Sequence, residues 1–192
     1  MKRREFIAHF VATAAISTCP AYAQKGVLPV VGYLGFDAAE KSPELLVAFR
    51  EGLRTLGFEE NQNVAIEYRF AEGKYDRFPE LAASLVQSSV QVIVAATGTN
   101  GVLATTAATK TIPIVFAIAM DPVSVGVVSS LNRPGGNATG VSMYTPQLVA
   151  KRLELLAELT PAGGTISMLI NPTNPNANVI SSDAEAAAKS LG

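Results

Sequence analysis

Little in this chain of 192 residues can act as a nucleophile or a base. Its one histidine (His9) and one cysteine (Cys19) both lie within the first twenty residues. What remains are hydroxyls, carboxylates, amides and aromatic rings, gathered in loops between apolar runs. The segment Thr97-Gly98-Thr99-Asn100 joins an apolar run to a helical pattern. Two hydroxyls and a row of backbone N–H groups at a helix start suit a ligand carboxylate, although Thr or Asn could also be a plain N-cap there. Asp121, ahead of Pro122, could pair with a ligand ammonium or cap a helix at Val123. Gly35 with Phe36, and Tyr144, offer apolar and aromatic walls, a role they would share with ordinary core residues. The chemistry these residues suit is capture of a small polar molecule without bond making.

Several functions are excluded or weakened. The first 23 residues read as a cleavable export leader: Lys2-Arg3-Arg4 is a basic start, residues 6–18 form a short apolar stretch, and Ala21-Tyr22-Ala23 is a cleavage site. Arg3-Arg4-Glu5-Phe6 resembles a twin-arginine signal, with Lys2 where Ser or Thr is usual, so either export route fits. Ile16-Ser17-Thr18 before Cys19 is a poor lipobox, which favours a soluble exported product. Once the leader is removed, Lys plus Arg falls from 15 to 12 and Asp plus Glu from 16 to 15. His9 and Cys19 leave with it. A Ser-His-Asp triad, a Cys nucleophile and a His- or Cys-based zinc site are then excluded within these residues. The near-neutral charge gives no reason to expect nucleic acid. Gly32-Tyr33-Leu34-Gly35-Phe36 is not a dinucleotide fingerprint and no P-loop occurs. No cofactor or metal is expected.

The elements that must position these residues follow an alternating pattern. Apolar residues make up 48% of the chain and charged ones 16%, enough to build a core. Residues 30–35 (VVGYLG) read as a strand. Ser42-Pro43 starts a helix with Leu45, Leu46, Phe49, Leu53 and Leu56 on its apolar positions, and Gly57 stops it. Residues 64–70 alternate like an outer strand. Asp76 and Pro79 open a second helix carrying Phe78, Leu81, Ala82, Leu85 and Val86. Residues 90–96 (VQVIVAA) are apolar almost throughout, as a central parallel strand is. A weaker helix is expected over 102–109, a buried strand over 112–119, a short apolar helix over 123–131, a turn at 132–137 and a last strand over 139–143. The order β-α-β-α-β-α-β with short joins predicts a doubly wound parallel sheet in an α/β fold. Beyond it, a helix with Leu148, Val149, Leu153, Leu155, Leu156 and Leu159, a buried strand over 165–170, a polar loop over 171–176 and a helix over 177–191 read as the start of a second α/β lobe.

The predicted organisation is therefore a signal peptide at 1–23, an N-terminal α/β lobe at 24–143 and an incomplete second lobe at 144–192. The isolated polypeptide 24–192 is expected to be prone to aggregation, with an unpaired edge near 165–170. In an open α/β sheet, ligands sit beyond the carboxyl ends of the strands at the switch point. That rule selects the loops at 35–37, 97–100, 120–122 and 171–176. A carboxylate enzyme using Asp121 with Asp37 or Glu67, or a sensory module, are alternatives on the same scaffold.

An ordered set of segments carries a family resemblance: the leader, FREGLRTLGF (49–58), NVAIEYRFAEG (63–73), ATGT (96–99), IPIVFAIAMDPV (112–123), GGNATGVS (135–142) and INPTNPN (170–176). Over residues 28–192 the chain resembles the ABC-transporter substrate-binding proteins related to tryptophan- and aromatic-amino-acid-binding lipoproteins. The resemblance implies a type I periplasmic-binding fold, two lobes closing on a small amino-acid-like ligand, and no enzymatic activity. It further implies an inner-membrane ABC permease as partner, a periplasmic location and a monomeric state for the complete protein. By position, Thr97, Gly98 and Thr99 would hold the ligand's polar end. Asp121 would lie at the cleft mouth, Ser142 to Tyr144 near the interlobe crossing, and Asn171, Asn174 and Asn176 opposite. The family often has Pro where Gly98 stands, a departure that bears on which ligand is taken.

Overall fold

The computed structural model describes residues 28–143, 148–161, 164–174 and 176–191. The leader, Tyr144 and the Thr145-Pro146 helix start lie outside the described residues. Five parallel strands form one sheet: β1 (Val30–Gly35), β2 (Ala65–Phe70), β3 (Val92–Ala96), β4 (Ile114–Ile118) and β5 (Ala138–Ser142), in the order β2-β1-β3-β4-β5. The helices of this part are α1 (Pro43–Thr55), α2 (Phe78–Gln87) and α3 (Gly98–Ala108). Beyond β5 come α4 (Val149–Leu159) and α5 (Ala177–Leu191), packed on each other.

Alternation in β2 places it at the sheet edge, half-buried along its whole length. The apolar run of β3 places it between β1 and β4. The core lies between the sheet and α2 and α3: Leu34, Ile93, Ala95, Ile114, Phe116 and Ile118 meet Phe78, Leu81, Leu85 and Val102. On the other face, α1 sets Phe49 on Tyr33 at 5.0 Å between ring centroids.

Helix ends follow their sequence signals. Gly57 takes a left-handed φ of 83°. Its N–H donates to the Arg54 carbonyl and that of Phe58 to the Leu53 carbonyl, which closes α1 with a Schellman motif. Ser42 precedes Pro43 as expected, yet its side chain makes no capping hydrogen bond.

Three expectations are corrected. The segment 123–131 forms successive turns instead of a helix. Gly126 adopts a φ of 74°, which reverses the backbone after one turn. Helix α3 begins at Gly98 rather than at Val102, so the expected loop is its first turn. Residues 165–170 have the composition of a buried strand but make no strand pairing, and Leu169 is fully exposed. A strand exists only with a hydrogen-bonded neighbour, and the described residues offer this segment none.

Candidate functional site at the carboxyl edge of the sheet

Parallel register brings the predicted loops to one edge. Gly35 stands opposite both Phe70 and Ala96, and Ile118 opposite Ser142. The loops after β1, β3 and β4 and the exit of β5 therefore leave the same end of the sheet. The connections run one way from β1 to β2 and the other way to β3, so the switch point lies between β1 and β3. Phe36 and Thr97 emerge on either side of it.

At that point a cavity of about 50 Å³ is lined by Tyr33, Gly35, Phe36, Asp37, Phe70 and Ala96, among others. Gly35 is required there by packing, because a Cβ would lie 2.7 Å from the Phe70 ring. The Phe36 ring meets those of Tyr75 and Phe78 in tilted pairs, with centroids 4.7 and 6.1 Å away. Tyr75 was missed in the sequence; it lies in a turn five residues after the β2 strand, outside any periodic run.

The start of α3 is the most distinctive feature. Thr97 and Thr99 are each only 6% exposed. Thr97 occupies the N-cap position, but its side chain does not cap the helix: its hydroxyl lies 3.2 Å from the Gly98 carbonyl. Gly98 holds a φ of 71°, a conformation closed to proline, whose ring locks φ near −65°. The Thr99 hydroxyl is buried and makes no hydrogen bond. A buried hydroxyl without a partner costs about 1–3 kcal/mol, and among the described residues none offsets that cost for Thr99.

The other predicted residues make local contacts. One Asp121 carboxylate oxygen accepts from the Val123 N–H at 3.1 Å, stabilising the turn that replaces the expected helix. The Ser142 hydroxyl donates to the Met120 carbonyl at 2.7 Å, tying the exit of β5 to the loop that carries Asp121. The Asn171 side-chain oxygen accepts from the Thr173 N–H and hydroxyl, and that of Asn174 from the Asn176 N–H. Asn174 and Asn176 also reach a larger, mostly apolar groove of about 770 Å³, where Ala119 and Met120 face α4, α5 and residues 166–169. Asn171 stays exposed outside it.

The carboxylates proposed for an enzyme are not gathered. Glu67 sits within β2 and pairs with Arg69 at 2.9 Å. Asp37 and Asp121 follow β1 and β4, which are separated by β3, so the strand ends stand about 10 Å apart.

An open parallel sheet with a polar helix start at its switch point is an α/β unit of the class that places ligand sites beyond the carboxyl ends of its strands. The family model described as ABC transporter substrate binding protein matches residues 42–192, and the chain belongs to that family. A tyrosine-binding protein of Clostridioides difficile (strain R20291) is 30% identical over 154 residues, 80% of this chain and 42% of that protein. Among solved structures, a conserved domain protein from Vibrio cholerae matches with a TM-score of 0.73 and 30% identity. The structure of an ABC domain in complex with L-Trp from Streptococcus pneumoniae matches with a TM-score of 0.70 and 26% identity. In both cases the match covers 86% of this chain and 55% of the other. The chain thus spans about half the length of the relatives it matches. Among the described residues no helix is long and apolar enough to cross a membrane.

Proposed function

We propose that this chain captures a small amino-acid-like solute for an ABC transporter and hands it to an inner-membrane permease, without making or breaking a bond. The observation that carries the reading is the buried, unpartnered Thr99 hydroxyl at the uncapped start of α3. A ligand carboxylate there would accept from the hydroxyl and from first-turn N–H groups, and the helix dipole favours its charge. Asp121 follows β4, the strand next to β3, on the same edge, suited to a ligand ammonium. Phe36 supplies an aromatic wall. Relatives named for tyrosine and crystallised with tryptophan support an amino acid as the ligand class.

In this reading residues 1–23 direct export to the periplasm, residues 24–143 form the first lobe, and residues 144–192 begin the second, with Ser142 and Tyr144 at the crossing. Asn171, Asn174 and Asn176 approach the ligand from that second side. The complete protein acts as a monomer. The test is an NMR titration of the full chain with L-tyrosine, L-tryptophan and a panel of other amino acids. Saturable shifts of the amides of residues 97–101 are expected. A panel that leaves those amides unmoved at millimolar concentration would refute the reading.

A further inference from the structure

Gly101 stands one turn into α3, buried, and is involved in none of the contacts described above. A Cβ built on it would lie 2.1 Å from the Thr97 hydroxyl oxygen, 2.3 Å from the Thr97 Cβ and 2.9 Å from its Cγ2. No other residue's atom is nearer, so the space a side chain would need at 101 is filled by one threonine. This differs from Gly98, where the left-handed backbone demands glycine and a Cβ would meet nothing within 4 Å. Glycine inside a helix costs about 1 kcal/mol relative to alanine, and here it leaves a notch in the helix surface. The adjoining turn is tied down from the other side, where the Thr105 hydroxyl donates to the Gly101 carbonyl at 2.7 Å.

We propose that Gly101 is a positioning residue for ligand capture: its missing side chain is the seat that folds Thr97 over the first turn of α3. Seated there, Thr97 is buried beside Thr99, and its hydroxyl lies away from the helix-capping position. The first-turn N–H groups are thereby left to a ligand instead of being capped by Thr97. With alanine at 101 the new Cβ would meet the Thr97 Cβ itself, which no side-chain rotation moves, so the backbone at Thr97 must shift and carry the side chain out of the notch. It then either swings towards the cap, competing with the ligand for the same N–H groups, or projects into the cleft. The part concerning ligand rests on the function proposed above; the seat itself is a matter of packing.

The test separates the two. In the full chain, the NOEs from the Thr97 Hβ and methyl group to residue 101 are measured for wild type and Gly101→Ala. Lost NOEs are expected; NOEs retained at wild-type strength in a folded Gly101→Ala variant would overturn the seat, whether or not any amino acid binds. Should Gly101→Ala fail to fold, Thr97→Gly/Gly101→Ala decides. Recovery of the melting transition in the double variant supports a clash with Thr97, and no recovery overturns it. Affinity for L-tyrosine or L-tryptophan, read from the amides of 97–101, supplies the functional arm. Gly101→Ala is expected to weaken it about tenfold, the scale of one hydrogen bond to a charged group. In a Thr97→Gly background the same change is expected to have less than about a twofold effect, because distinct substitutions acting through one group do not add. Equal losses in both backgrounds would show that Gly101 acts other than through Thr97. Wild type failing to bind either amino acid would refute the function proposed above, while the NOE and refolding results would still decide the seat.

Discussion

Thr99 separates binding from stability at a single residue. Its hydroxyl is buried without a hydrogen bond, so Thr99→Val, which keeps the shape and removes the polar atom, is expected to raise ligand-free stability by about 1 kcal/mol. The same change should weaken amino-acid binding about tenfold, the scale of a charge-assisted hydrogen bond. Urea denaturation and ligand titration measure the two effects; a variant that loses stability and keeps affinity would assign Thr99 to the core. The tyrosines make a second separable case. Burial raises the phenol pKa of Tyr33 above its ordinary value of 10.0. It raises that of Tyr68 as well, with the Glu60 carboxylate adding to the effect. The folded chain thus holds these protons more tightly than the unfolded chain. Their contribution is fully present below pH 10 and is lost as pH rises through the raised folded values. Urea midpoints should fall as pH rises above about 10, and fall less in Tyr33→Phe/Tyr68→Phe. Equal slopes in the two proteins would contradict the assignment.

At the scale of elements, two glycines are expected to fail in different ways. Gly57 ends α1 in a left-handed turn with open space around it, so Gly57→Ala should cost only the backbone strain, about 1 kcal/mol. Gly140 in β5 lies opposite Phe116, and a Cβ there would sit 2.0 Å from the Phe116 carbonyl oxygen and 2.6 Å from its ring. Gly140→Ala should therefore exceed the roughly 1–3 kcal/mol of ordinary overpacking, because backbone must move. Chemical denaturation ranks them; Gly57→Ala as the more damaging change would reverse the argument. The same contrast explains what could be read from sequence. Gly57 follows an apolar helical pattern and marks its own stop. The apolar run of β3 and the alternation in β2 give their places in the sheet, because burial on two faces and on one leave different patterns. The turn at 123–131 was not legible, since its apolar residues fit a helix and only the conformation of Gly126 decides against one. Residues 165–170 were misread because composition records a preference for burial and not the presence of a neighbouring strand. At the site, Thr97 and Thr99 stood out as hydroxyls at a strand-to-helix join. Gly101 did not, because its role is a contact with a side chain four residues earlier, which spacing alone does not reveal. The one available signal was an isolated glycine within a helical stretch.

Across the whole molecule, apolar surface is distributed unevenly. The face of the sheet under α2 and α3 is closed, whereas Val115 of β4 and Val141 of β5 remain 42% and 64% exposed on the opposite face. Parallel sheets are ordinarily covered on both sides. The groove between the end of β4 and the C-terminal helices is also mostly apolar, and of the residues lining it Met168 is half-exposed and Leu169 lies fully in water. Contiguous apolar surface of this kind drives association, at about 25 cal/mol for each Å² removed from water. Leu169 gives the cleanest test because it is fully exposed and has no native packing to lose. The full chain is expected to self-associate with rising concentration in sedimentation velocity. Leu169→Lys together with Met168→Lys should weaken that association, since burying either ammonium in a contact is costly. The urea midpoint of Leu169→Lys alone should match wild type, as surface changes away from packing usually fall within about 0.5 kcal/mol. If association is unaltered in the double variant, the groove is not the contact and the exposed face at Val115 and Val141 becomes the surface to substitute. A wild-type chain that stays monodisperse across the concentration series would contradict the prediction for both surfaces.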